Sequence, residues 1–129
     1  MHLHAALITA LNAVLLFIAM GLVGRARGKH QIKAPAIIGN VEFECVFRAH
    51  QNTVEQTVMF LPVLWLASLY GNELYAAWLG YAWLAGRLWY ILGYARGADR
   101  RGGGFLMAFL AWFGLLALSL VGLVPRFMA

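Results

Sequence analysis

The chain of 129 residues is long enough for one domain, and its balance is that of a membrane protein: 63% of residues are hydrophobic and 12% charged, against roughly 45–50% and about 25% in an ordinary soluble domain. The net charge of +5 comes from basic residues gathered into short segments, a pattern that reports membrane orientation and argues against a nucleic-acid partner. A single cysteine, Cys45, excludes an intrachain disulfide and any multi-cysteine metal site.

Residues 3 to 24 form an apolar run interrupted by His4, Thr9 and Asn12. It lacks the basic start, short apolar core and small-residue cleavage site of a signal peptide, so a retained first membrane helix is expected. Residues 25 to 40 hold Arg25, Arg27, Lys29 and Lys33 together with Gly28, Pro35 and Gly39, which reads as a basic loop. The second helix is expected over Val41 to Tyr70, about thirty residues or roughly 45 Å. A hydrocarbon core is only about 30 Å thick, so the polar end of this helix is left outside it or among the headgroups. Pro62 is expected to kink it. After the turn Gly71-Asn72-Glu73 a third helix returns from Leu74 through Tyr94, with a continuation to Arg101 left open. Arg96 to Gly104 reads as a basic, glycine-rich loop, and Phe105 to Val124 as an uncharged fourth helix stopped by Pro125. Both basic loops then face the cytoplasm and both termini the opposite side.

The polar face of the second helix is where chemistry is expected. Arg48, Gln51, Asn52 and Glu55 stand at i, i+3, i+4 and i+7 and project from one side. On the third helix Arg87, Tyr90 and Tyr94 share a face, joined by Arg101 only where the helix persists that far. Counting back from the turn at residues 71 to 73 puts the two faces at one depth, near the cytoplasmic boundary, with Arg87 inside it. A charge in mid-membrane costs roughly 2.5–3.5 kcal/mol, and Glu55 is placed to neutralise Arg87 or Arg48. Such a pair could be purely structural. The same end also offers Arg27, Arg96, Arg100 and Arg101, however, and fork-shaped guanidinium groups suit carboxylates and phosphates. An anionic ligand entering from the cytoplasmic side is the reading this surplus favours. For Arg25, Lys29, Lys33 and Arg96, contact with lipid phosphate is the simpler role. His2, His4, His30 and His50 have no metal-ligand spacing, and no metal is expected.

The run Glu42-Phe-Glu-Cys-Val-Phe-Arg-Ala-His-Gln-Asn-Thr-Val-Glu, followed by Gly86-Arg-Leu-Trp-Tyr-Ile-Leu-Gly-Tyr-Ala-Arg, resembles the MAPEG family, membrane-associated proteins in eicosanoid and glutathione metabolism. The likeness is to the microsomal glutathione transferase branch that includes leukotriene C4 synthase-like enzymes, and it covers nearly the whole chain. It implies an all-α integral membrane bundle of four transmembrane helices over residues 1 to 129, assembled as a homotrimer. Glutathione would be the cosubstrate, bound near the cytoplasmic side between neighbouring subunits. Matched position by position, Arg48, Asn52, Glu55, Arg87, Tyr90 and Tyr94 fall on the family's glutathione-binding residues, Arg27 on a further binding arginine, and Arg101 on the arginine that stabilises the thiolate. The implied reaction is conjugation to a hydrophobic electrophile, or reduction of a lipid hydroperoxide, with the apolar partner arriving from the bilayer. A non-enzymatic lipid-binding or partner-presenting protein of the same fold is the alternative.

Overall fold

Four long α-helices account for most of the chain in the computed structural model, which describes all residues from 1 to 129. They are α1, Leu3–His30; α2, Val41–Leu66; α3, Glu73–Arg96; and α4, Gly102–Met128. A π-helical turn, Ala67–Gly71, carries α2 on to Asn72, and a 3-10 turn, Ala98–Arg100, links α3 to α4. The helices alternate in direction. His2 Nδ1 lies 2.8 Å from Ser68 Oγ in the π turn after α2, and Arg126 near the end of α4 donates to the Tyr70 carbonyl at 2.8 Å. Both termini therefore sit at the end of the bundle that holds the 71–73 turn, and the two basic connections sit at the other.

Several boundaries differ from the sequence reading, each for a local reason. Helix α1 does not end at residue 24 but runs on to His30, because the basic segment contains nothing that breaks a helix except Gly28. It closes at Gln31, whose φ of 54° is left-handed, with the Ile32 N–H on the Arg27 carbonyl at 3.1 Å. Glu42 then ties the two helices across the connection, 2.7 Å from Lys29 Nζ and 3.3 Å from His30 Nε2. Helix α3 stops at Arg96 and does not continue to Arg101. Helix α4 begins at Gly102 rather than Phe105 and passes through Pro125 instead of ending there. Proline removes one donor, at its own nitrogen, and three more residues continue the coil before the chain ends.

The starts of α2 and α3 follow the capping rules. Asn40 Oδ1 accepts from the Phe43 N–H at 3.1 Å, and Glu42 and Glu44 occupy the first turn of α2, where negative charge suits the helix dipole. Asn72 Oδ1 accepts from both Leu74 N–H and Tyr75 N–H at 3.0 Å and begins α3. The variant Asn72→Ala is expected to lose about 1 kcal/mol of stability, read as a lower thermal midpoint in detergent. An unchanged midpoint would mean that the tight turn is held by packing alone.

The core lies between α2 and α3, where the Phe60 and Trp83 rings stack with centroids 3.7 Å apart, flanked by Ile8, Leu64 and Leu115. Polar contacts join α1 to α2: Trp65 Nε1 donates to Thr9 Oγ1 at 3.1 Å and Thr57 Oγ1 to the buried Asn12 Oδ1 at 3.3 Å. The seam between α3 and α4 is almost backbone on backbone. A methyl placed on Gly86 would stand 2.7 Å from the Ala108 nitrogen, and one on Gly104 would run into the Tyr90 nitrogen and the Gly86 carbonyl. Outside, Phe17, Val58, Trp78 and Val121 are largely exposed, as lipid-facing positions would be. Helices α1, α2 with its π turn, and α4 with its preceding 3-10 turn are each long and apolar enough to cross a membrane. Helix α3 is long enough but less apolar, since it carries Glu73, Arg87 and Arg96 among tyrosines and glycines.

Candidate functional site

At the end of the bundle away from the termini, α2, α3 and the start of α4 enclose a cavity of about 290 Å³ lined by Arg48, Asn52, Tyr90, Arg101, Gly102 and Phe105. Helical spacing presents Arg48 and Asn52 on α2, one turn apart, and α3 supplies Tyr90 opposite them. Arg101 arrives by another route than a continued α3. Gly97 and the 3-10 turn reverse the chain, so that Arg101 stands at the N-cap position of α4. From there its Nη1 donates to the Tyr94 hydroxyl at 3.2 Å, and the guanidinium carbon lies 5.3 Å from the Tyr94 ring centre.

Behind this lining is Arg87, only 1% exposed. Its Nη2 donates to Asn52 Oδ1 at 2.9 Å and to Thr53 Oγ1 at 2.7 Å. The guanidinium carbon lies 4.0 Å from the centre of the Tyr90 ring, a cation–π contact that partly replaces lost hydration. Its Nε has no hydrogen-bond partner. No carboxylate reaches it. Glu55 instead pairs with Arg48, Oε1 to Nη1 at 3.2 Å, with both side chains about half exposed. A pair so open contributes little to stability, and its effect is to fix where the Arg48 fork points. Asn52 thus has two neighbours, the cavity on one side and Arg87 on the other, and Tyr90 is shared in the same way.

The expected residues are therefore placed unequally. Arg48, Asn52, Tyr90 and Arg101 line the cavity. Tyr94 holds Arg101, Glu55 holds Arg48, and Arg87 supports Asn52 and Tyr90 from inside. Tyr90 and Tyr94 meet edge to face with centroids 5.5 Å apart. Arg27 is elsewhere, donating to the Ala36 and Ile32 carbonyls at 2.7 and 3.3 Å with its guanidinium carbon 4.9 Å from the Phe43 ring centre. Thr53, Gly102 and Phe105 were missed from the sequence. Thr53 follows Asn52 directly, and a hydroxyl beside a polar helix face was a usable signal. Gly102 and Phe105 could not be found without knowing where α4 begins.

Two guanidinium groups from different helices, an amide and a phenol offer donors to carboxylate oxygens or to a thiolate, and Phe105 gives the cavity an apolar wall. His, Cys, Asp and Glu side chains nowhere gather in threes that could hold a metal ion.

Comparison with known proteins identifies the family to which this helical bundle belongs. The MAPEG family profile matches residues 5–121. An uncharacterised protein of Synechocystis is 42% identical over 122 residues, 95% of this chain and 89% of that protein. Microsomal glutathione S-transferase 2 of Mus musculus is 42% identical over 106 residues, 82% of this chain and 72% of the mouse protein. Leukotriene C4 synthase of Cavia porcellus is 40% identical over 104 residues, 81% and 69% of the two chains. A profile match over nearly the whole length, on a helical bundle built for a membrane, leaves one conclusion: the chain belongs to the MAPEG family.

Proposed function

We propose that the protein is a membrane-bound glutathione transferase that conjugates the glutathione thiolate to hydrophobic electrophiles, as a homotrimer of the single four-helix unit formed by residues 1 to 129. The observation that carries this reading is the cavity at the α2–α3–α4 junction, on which Arg48 and Arg101 converge with Asn52 and Tyr90. Arg101 is bound there only to a neutral phenol, so its charge is free to act on a ligand. Family membership and two relatives named as glutathione-using or leukotriene-forming enzymes support it.

Glutathione carries two carboxylates and one ammonium. Arg48 takes a carboxylate, Asn52 and Tyr90 donate hydrogen bonds, and Glu55, already beside Arg48, meets the ammonium. Arg87 positions Asn52 and Tyr90, and Tyr94 positions Arg101. Arg27, near the end of α1 and held by carbonyls of the connection that follows it, joins the site through a neighbouring subunit. Arg101 faces the sulfur: a free thiol has a pKa near 8.5, and an adjacent guanidinium favours the thiolate. The thiol gives its proton to water, the sulfur forms a bond to the electrophilic carbon, and the leaving group departs with the electron pair of the broken bond. A lipid hydroperoxide, entering from the bilayer, would instead pass its terminal oxygen to the sulfur and leave as the alcohol, and a second glutathione thiol would displace water from the resulting sulfenic acid to give glutathione disulfide. The basic connections and the site face the cytoplasm, by the positive-inside rule, with both termini opposite.

The test is a titration of the purified protein with glutathione at neutral pH, followed by ultraviolet difference absorbance of the thiolate and, separately, by equilibrium binding. Binding with a saturable thiolate signal is expected. Absence of any glutathione binding would overturn the proposal in favour of a lipid-binding protein of the same fold.

A further inference from the structure

The arginines at and just after the end of α3 are divided between two faces of the bundle. Arg101 turns to Tyr94 and the cavity already described, whereas Arg96 and Arg100 open on the outer side of α3, into a separate groove of about 570 Å³. Both are exposed. The side-chain hydrogen bonds of arginine in this chain are made by Arg27, Arg48, Arg87, Arg101 and Arg126, and the ion pairs use His2, Lys29, His30 and Arg48. Arg96 and Arg100 are in neither group. Asp99, next to Arg100, has no ion pair with either of them.

Below the two guanidinium groups the groove is apolar, lined by Ala85, Leu88, Trp89 and Leu92. With Arg96 these positions follow one another at i, i+3, i+4, i+7 and i+11, so they lie on one face of α3. Gly93 adds no side chain to the groove, and the Trp89 indole lies against Gly103 at the start of α4. From Ala85, at the middle of α3, to Arg96, at its end, is about 16 Å along the axis. One leaflet's hydrocarbon is roughly 15 Å thick. The groove therefore has the length and the polarity gradient of a single lipid molecule, charged at the membrane boundary and apolar to mid-membrane.

We propose that this groove is a binding site for an anionic phospholipid of the cytoplasmic leaflet, its phosphate between Arg96 and Arg100 and an acyl chain along Leu92, Trp89 and Leu88. Net negative charge on the lipid is required, because a zwitterionic headgroup would bring an ammonium toward two guanidinium groups. A second copy of the chain fits less well. Of its five acidic residues, Glu42 and Glu55 are already paired and Glu73 is at the other end of the bundle, which leaves Glu44 and Asp99 to answer two arginines. The proposal is independent of the glutathione reading, since neither arginine lines that cavity.

Trp89 supplies the probe. The full chain is reconstituted in phosphatidylcholine vesicles containing brominated phosphatidylglycerol or brominated phosphatidylcholine, and the quenched fluorescence belonging to Trp89 is obtained by difference from Trp89→Phe. Phosphatidylglycerol is expected to be preferred by roughly fivefold for each arginine. The double variant Arg96→Gln/Arg100→Gln should lose the preference while keeping its circular dichroism and glutathione binding. The variant Arg25→Gln/Lys33→Gln, which removes two charges elsewhere at the same end, should keep it. Four results would overturn the site: no preference in the native chain, equal loss in both double variants, displacement by inorganic phosphate at constant ionic strength, or a change of oligomeric size in Arg96→Gln/Arg100→Gln. These would indicate, respectively, no site, diffuse surface potential, a free-anion site and a contact between copies.

Discussion

Replacing Arg101 by alanine is expected to lower glutathione transferase turnover by at least about tenfold while the helical bundle stays folded. The side chain's one hydrogen bond is to the Tyr94 hydroxyl, and it is exposed at the N-cap position of α4, so its removal leaves no cavity in the core and no charge stranded there. What is lost is a positive group over the place where the sulfur is proposed to sit. A tenfold loss corresponds to one unit in the pKa of the bound thiol, about 1.4 kcal/mol. The measurements are turnover at saturating glutathione, the pH profile of that turnover, and the thiolate absorbance of the bound thiol. The variant's profile should move to higher pH, and Arg101→Lys should recover part of the rate, because it returns the charge without the fork. Normal turnover in Arg101→Ala would remove the thiolate role from this residue.

The second large effect is on the fold and comes from three consecutive glycines with different surroundings. Gly102 has nothing within 4 Å of where a methyl would go, Gly103 would press it on the Trp89 ring at 2.6 Å, and Gly104 would drive it into the backbone of α3 at Tyr90 and Gly86. All three are helical, so alanine gains helix propensity at each, worth about 1 kcal/mol. Gly102→Ala should therefore be neutral or slightly stabilising. Gly103→Ala should cost little once the indole moves. Gly104→Ala should prise α3 from α4 and cost several kcal/mol, as overpacking against an unyielding backbone does. Thermal unfolding of the three variants in one detergent decides the matter. Equal midpoints for Gly102→Ala and Gly104→Ala would show that the seam is looser than the structure has it.

Those glycines also mark where the sequence misleads. A Gly-Gly-Gly run after a basic segment reads as a loop, yet here it is the first turn of α4, kept free of side chains by the nearness of α3. The ends of α1 and α4 were misjudged for a related reason. Apolarity locates the membrane, whereas the helix ends where backbone hydrogen bonding does, six residues later in α1 and beyond Pro125 in α4. The four-helix order, the tight turn at 71 to 73 and the shared depth of the α2 and α3 faces were all legible, because hydrophobic run length and helical spacing are local properties. The partners of the charges were not. Glu55 could be assigned to Arg87 or Arg48 from spacing, and only side-chain reach selects Arg48, leaving Arg87 to Asn52, Thr53 and the Tyr90 ring. Arg101 stands beside Tyr94, but not along a continued face of α3: it arrives through a chain reversal at Gly97 that no periodicity announces.

The bare seam between α3 and α4 bears on how the protein enters a membrane. Of the four helices, α3 is the one that length and composition do not mark as a membrane span, and a lone Arg87 would add roughly 2.5–3.5 kcal/mol to its insertion. Helix α4 follows after a short turn, is strongly apolar, and meets α3 through Gly86 and Gly104 with hardly a side chain between them. The two are thus suited to leave the translocon as one hairpin, α4 supplying the driving force and α3 the cargo. Thr53 and Asn52 on the earlier helix then receive the buried guanidinium as the hairpin docks, so assembly of the site would be the last step of biogenesis rather than a sequel to it.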